Sequence, residues 1–268
     1  MTDLQGRRIS PVLKLKAVTL GPIVLLAEWV RGDCRYPWSV VGRRNPIPLI
    51  SHAEGPRVVV FAAHADDETI GLSATLQKAR RDGYGIAVVF TTNSRGPSWR
   101  VPRARAASIA ALRLEEAYAA LQLISVPPAA VGCLGFPDRG LYRHMWALAR
   151  DVARILKGLK PDIVYCHARE GGHVDHDVTN YVVRDVAGRL GYTNVWEWAE
   201  YGPDSAMGSR DPQFPDATPR GHPVSLTSEE RMCKERMLDC YESQAEVQRV
   251  CRMQGERLRL SAVDGRGR

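Results

Sequence analysis

From Arg57 onward the chain alternates short, wholly apolar runs with longer stretches whose apolar positions recur at helical spacing. Arg57–Ala63 (RVVVFAA), Ile86–Thr91, Val131–Leu134, Asp162–His167 (DIVYCH) and Asn194–Trp198 read as strands. Helices are predicted over 69–81, 103–124, 141–159 and 177–190, with a long closing helix over 228–253. The helix over 103–124 carries Ala107, Ala110, Ala111, Leu114, Ala117 and Leu121 along one face, while Gly83-Tyr84-Gly85 stops the one before it. Strands that are apolar throughout, each followed by a helix, imply a parallel sheet covered on both faces. The fold class expected is α/β, a Rossmann-like, mostly parallel sheet with helices on both faces.

Sheets of this kind place their sites at the carboxyl ends of the strands. There the polar residues gather. The first strand runs into His64-Ala65-Asp66-Asp67-Glu68, and the second into Thr92-Asn93-Ser94-Arg95. The third leads to Gly135–Gly140 (GFPDRG), which contains Asp138. The fourth ends in His167 and continues through Glu170 to His173, Asp175 and His176.

The segment before Arg57 reads differently. Alternation over 13–18, then Gly21-Pro22, then the apolar 23–30 predicts a β-hairpin, and the Pro-, Gly- and Arg-rich 31–56 a long connection. The apolar run Ala17–Ala27 is too short for a membrane span and lacks a following small-residue cleavage site. An interfacial, peripheral membrane contact is the alternative use for it. The organisation expected is an N-terminal extension and linker (1–56), one catalytic domain (57–253) and a basic C-terminal tail (254–268).

The net charge of +7 changes little once it is located. Residues 1–50 hold eight Lys/Arg against three acids and residues 246–268 six Arg against three, so the stretch between is close to neutral. A nucleic-acid binder concentrates positive charge on a folded face, so no nucleic-acid partner is expected. Six cysteines without a C-x-x-C pair point to reduced thiols and a cytoplasmic setting.

His64 and Asp67, three apart at a strand-to-helix turn, can reach one cation, and His176 opens a later helix at the same edge. Two imidazoles and a carboxylate leave zinc an open position, the arrangement of a catalytic site. Water in that position would have its pKa lowered toward neutrality. Asp66 neighbours Asp67 but diverges from it in extended chain, so it can act as general base. His173 would flank the metal as oxyanion stabiliser or as acid to the leaving amine, with Asp175 or another carboxylate holding its imidazole charged. His144 reads as a packing or surface histidine, and His52 and His222 have no partner nearby in sequence. Neither a G-x-G-x-x-G fingerprint nor a G-x-S-x-G elbow follows any strand, which argues against dinucleotide binding and serine hydrolysis.

These residues resemble a known family. Ala63–Glu68 (AHADDE) is similar to the A-H-P-D-D-E signature of the PIG-L/LmbE-like de-N-acetylases. Thr91-Thr92-Asn93, Arg113–Glu116 (RLEE), Gly135–Gly140, Gly172–His176 (GHVDH) and Tyr241-Glu242-Ser243-Gln244 follow in the family's order, over roughly 57–250. Ala65 and Val174 stand where the family carries proline. The resemblance implies zinc, or another divalent metal such as Fe2+, on His64, Asp67 and His176, with Asp66 as base. It also implies His173 assisted by Asp175, and a sugar contact at Asp138, with Asn93, Ser94 and Arg95 as further candidate substrate contacts. The implied activity removes acetyl from an N-acetylglucosaminyl group of a soluble glycoside, for example in glycopeptide-antibiotic biosynthesis. The rival readings are another metal hydrolase, such as a phosphoesterase, and a non-catalytic sugar-binding module.

Overall fold

The computed structural model describes residues 57–96, 103–201, 208, 210–215 and 221–262. The hairpin expected in the N-terminal extension lies outside them. Seven strands form one sheet: β1 (Arg57–Ala62), β2 (Gly85–Thr92), β3 (Val131–Phe136), β4 (Ile163–His167), β5 (Val195–Ala199), β6 (His222–Val224) and β7 (Glu256–Leu260). Their order is β3-β2-β1-β4-β5-β7-β6. The first five run parallel, and β7 pairs antiparallel with both β5 and β6. The helices are α1 (Asp67–Arg81), α2 (Arg103–Gln122), α3 (Met145–Leu159), α4 (Val174–Arg189), α5 (Ser228–Asp239) and α6 (Ala245–Cys251).

Because successive side chains on a strand point to opposite faces, β1 feeds two cores. Val58 and Val60 pack with Leu72 and Leu76 of α1 and with Met237 of α5. Val59 and Phe61 pack on the other side with Leu148 and Val152 of α3 and Val183 of α4. Burial on both faces is why these strands read as unbroken apolar runs. The chain winds outward from β1 through β2 to β3, then returns to lay β4 on the other side of β1. A crevice opens at such a reversal, between the carboxyl ends of β1 and β4.

Three elements depart from the sequence expectation. The helix expected over 141–159 begins as a 3-10 turn, Leu141–His144, before α3. The closing helix is broken: α5 ends at Asp239, a 3-10 turn spans Glu242–Gln244, and α6 follows. Residues 256–260, expected in a basic solvated tail, instead form β7 inside the sheet. Arg257 and Arg259 are buried there, and Arg259 Nε donates to Glu197 Oε2 at 2.6 Å while Arg257 pairs with Asp211. Charge alternating along a strand looks like solvated tail when the acids that pair with it lie far away in sequence.

Candidate active site

The chain leaves β1 through Ala63 and turns sharply into α1. Asp66 takes φ 131° and ψ −27° at that turn, a backbone conformation costly for any residue with a Cβ. Asp67 and Glu68 then occupy the first turn of α1, where the helix dipole favours negative charge. The turn is tied at several points. The Ala63 N–H donates to His167 Nε2 at 3.0 Å, and the His64 N–H donates to Asp67 Oδ2 at 2.7 Å. Ala65 donates its N–H to Ser94 Oγ at 2.8 Å, and Thr92 Oγ1 donates to the Ala63 carbonyl at 2.8 Å.

The crevice brings together His64, Asp67 and His176. Asp67 Oδ2 lies 3.4 Å from His64 Nδ1 and 3.4 Å from His176 Nε2, and the two ring nitrogens are 3.3 Å apart. Donors about 2.0–2.2 Å from a tetrahedral zinc stand roughly 3.3–3.6 Å from one another, so this triangle has the dimensions of one face of such a site. The donor set of neutral imidazole and carboxylate suits zinc or ferrous iron equally. Further donors surround it, with His173 grouped beside His64 and His176, and His167 and Glu200 beside Asp67 and His176.

The outer nitrogen of His64 faces two carboxylates, Asp175 Oδ2 at 3.4 Å and Asp138 Oδ1 at 3.6 Å. A carboxylate behind a ligating histidine sets its tautomer, leaving the opposite nitrogen as the lone-pair donor. Asp138 is itself held by the Gly96 N–H at 2.9 Å. Asp175 accepts from the backbone N–H groups of Arg139 and, at 3.2 Å, Leu141. The sequence reading has Asp175 holding the His173 imidazole. The contact between them is instead backbone: the Asp175 N–H donates to His173 Nδ1 at 3.2 Å, capping α4. The Asp175 carboxylate is turned to His64. His173 stands edge-on to His64, ring centroids 4.5 Å apart, flanking the triangle.

Asp66 points elsewhere. Its Oδ2 accepts from Gln248 Nε2 at 3.0 Å, and burial, reinforced by the neighbouring Asp67 charge, raises its pKa well above the usual carboxylate range. Burial would raise Asp67 too, but His176, His167 and His64 around it hold it well below that range. Burial and the adjacent His167 charge push His176 down to about 4, and burial with His64 and His176 pushes His173 down to about 3. Both imidazoles are therefore neutral near pH 7, the form that donates a lone pair to a metal. His64 is raised, since Asp67 and Asp138 outweigh its burial. Two adjacent carboxylates thus differ in proton affinity in opposite directions, a pattern that separates a base from a ligand.

The remaining candidates divide. Ser94 is buried, with its Oγ engaged by the Ala65 N–H and its carbonyl by Arg113. Asn93 is buried and accepts from the Arg95 N–H at 3.3 Å, while Arg95 is half-buried. The sequence alone singles out neither His167 nor Gln248 as a site residue. His167 stacks on His176 with centroids 3.7 Å apart, and its Nε2 is 3.0 Å from Asp67 Oδ2. As the last residue of a core strand it gave only one signal, its place at the sheet edge four strands share. Gln248 is a polar residue in a polar helix and gave none.

Known proteins share this arrangement of chain. The description GlcNAc-PI de-N-acetylase (PIG-L) matches residues 59–187. A 1D-myo-inositol 2-acetamido-2-deoxy-alpha-D-glucopyranoside deacetylase from Corynebacterium jeikeium (strain K411) is 27% identical over 168 residues, covering 50% of this chain and 50% of its own. The chain therefore spans about half the length of that curated relative. Among solved structures, a triple mutant (Orf2*T) of a deacetylase in the teicoplanin biosynthetic pathway is 22% identical. It covers 77% of this chain and 99% of its own, with a TM-score of 0.55. GalB, the 4-carboxy-2-hydroxymuconate hydratase of Pseudomonas putida KT2440, is 18% identical, covers 74% of this chain and 83% of its own, and reaches a TM-score of 0.54. At such identities the likeness establishes the fold, and a deacetylase and a hydratase on one fold leave the reaction to the site. The sequence match takes in most of β1 through most of α4, with His64, Asp66, Asp67, Asp138, His173, Asp175 and His176, and over residues 59–187 the chain matches the PIG-L family.

Proposed function

We propose that the chain is a metal-dependent amide hydrolase that removes acetyl from an N-acetylglucosaminyl group of a glycoside. One observation carries this reading: three donor atoms form a triangle of metal-site dimensions, and a separate carboxylate of raised proton affinity stands next to it in the chain. His64 Nδ1, Asp67 and His176 Nε2 would hold a divalent cation, zinc or iron. Bound there, the cation supplies Lewis acidity, polarising a carbonyl and lowering the pKa of water. Asp66 takes the proton from the attacking water. His173, neutral and able to donate from Nε2 while its Nδ1 accepts from Asp175 N–H, hydrogen-bonds the developing oxyanion. The proton held by Asp66 then passes to the amine as the C–N bond breaks. Asp175 and Asp138 orient His64, so we assign Asp175 to the ligand sphere rather than to His173. Asp138 and Arg95 remain the candidates for contact with the sugar.

The class of carrier is inferred from the surface of the turn that is bonded to Asp175. The turn Leu141–His144 is bonded to Asp175 through the Leu141 N–H, and it exposes Tyr142 and, one helical turn on, Trp146. Exposed aromatic faces on, and just after, a turn bonded to Asp175 favour a carrier with an apolar or aromatic surface over a free polyol. That agrees with a secondary-metabolite glycoside. No helix among the described residues is long and apolar enough to cross a membrane. The five described cysteines are free thiols, in keeping with a cytoplasmic setting.

The experiment is a substrate panel with the metal-loaded protein: an aryl N-acetylglucosaminide, an inositol N-acetylglucosaminide and a phosphate monoester. Release of free amine from the glycosides, faster from the aryl one, supports the reading. Phosphate release without amine release replaces it with a phosphoesterase.

A further inference from the structure

Tyr241, Gln244 and Gln248 are spaced three and four residues apart on a segment that runs from a 3-10 turn into α6, so their side chains emerge on one side. Each ends on a neighbouring point of the loop after β1 or of the first turn of α1. Gln244 Nε2 donates to the Ala65 carbonyl at 2.6 Å, and Gln248 Nε2 donates to Asp66 Oδ2 at 3.0 Å. The Tyr241 hydroxyl donates to Glu68 Oε1, and Glu68 Oε2 in turn accepts the Asp66 N–H at 3.2 Å. The segment is itself pinned to α2, where Glu116 accepts from both the N–H and the hydroxyl of Ser243 at 2.7 Å. The closing helix breaks just before these donors, between Asp239 and the turn Glu242–Gln244.

We propose that the segment Tyr241–Gln248, which lies beyond the matched residues 59–187, is a clamp that seats the proposed base, with Gln248 as the positioning residue for the Asp66 carboxylate. The inference rests on the hydrolase reading given above. Two observations favour positioning over packing. Asp66 holds a left-handed backbone conformation that a residue with a Cβ adopts only when its surroundings enforce it. Gln248 is 4% exposed, yet its Oε1 is buried with no hydrogen-bond partner. Burying an unpaired carbonyl is costly, and a methionine would fill the same space without that cost. The donor end, aimed at Asp66, is what the glutamine adds. Gln248 makes no bond to His64, Asp67 or His176, so its loss should spare the metal site.

The test is Gln248→Met, with Gln248→Glu as a second variant should the first fail to fold. Each is read by metal content, by kcat and KM on an N-acetylglucosaminide, and by a crystal structure of the site. The expected result is an unchanged metal content, KM within about twofold, and kcat lower by about 10²-fold, the usual penalty for a reacting group displaced by an ångström. Introduced into Asp66→Asn, the same change should cost little more, because Gln248 acts through the carboxylate already removed. An unchanged kcat overturns the proposal, and so does an equal fractional loss in both backgrounds, which is the mark of a structural role. Should the wild type hydrolyse no amide at all, the hydrolase reading fails by itself. The clamp is then judged on the variant's structure: a displaced Asp66 carboxylate supports it, and an unmoved one overturns it.

Discussion

Asp66 and Asp67 are consecutive in the chain and face different partners: Asp67 Oδ2 lies 3.4 Å from His176 Nε2, while Asp66 Oδ2 accepts from Gln248 Nε2. The positive φ at Asp66 lies at the turn where the two carboxylates part, each with its own partners. Replacing each separately should therefore give different losses. Asp66→Asn is expected to keep its metal and lose kcat by about 10²–10⁴-fold, the range for removing a general base. Asp67→Asn is expected to lose the metal itself. Metal content and kcat measured on both variants check the assignment.

Asp175 is expected to act on His64. Asp175→Asn removes the charge behind the outer nitrogen of His64, the proposed ligand, and metal affinity should fall by about 10–100-fold. A competition titration against a chelator measures it. Unchanged affinity combined with a lower kcat would return Asp175 to the service of His173.

Gly71 makes room for Trp198, which packs on His167 with ring centroids 4.2 Å apart. A Cβ built at Gly71 would stand 2.2 Å from Trp198 Cδ1. Gly71→Ala should destabilise the protein by about 1–3 kcal/mol despite the better helix propensity of alanine. The shift in denaturant midpoint reads this directly.

Glu170 gives a pH-dependent prediction. It accepts from the backbone N–H groups of Glu200 and Tyr201, and burial pushes its pKa up to about 8. Between the ordinary carboxylate range and pH 8 the folded protein keeps a proton that the unfolded chain has released. Rising pH through that window therefore removes stability from the wild type, with no further change from this group above pH 8. Glu170→Gln should be free of that slope. Chemical denaturation of both proteins at pH 5 and pH 8 should show the variant gaining on the wild type at the higher pH.

Much of the parallel sheet was legible because strands buried on both faces are apolar throughout, as in Val58–Phe61. The metal candidates were legible because their spacing is local: His64 and Asp67 within one turn, His173 and His176 within another. What escaped depends on contacts made far along the chain. His167 ends a strand whose other residues are core, and nothing in its neighbourhood says that Asp67 lies 3.0 Å away. Gln248 looks like solvated helix until the break at residue 240 turns it inward. Arg257 and Arg259 look like tail until Asp211 and Glu197 are placed beside them. That the Asp175 and Asp138 carboxylates face His64 is likewise visible only in the folded chain, because their partner lies far away in sequence.

The most direct measurement is acetate release from an aryl N-acetylglucosaminide before and after metal removal. The protein as purified should carry about one zinc or iron per chain, lose both metal and turnover on chelation, and regain both when the ion is restored. Full turnover by chain stripped of metal would contradict the account at its centre.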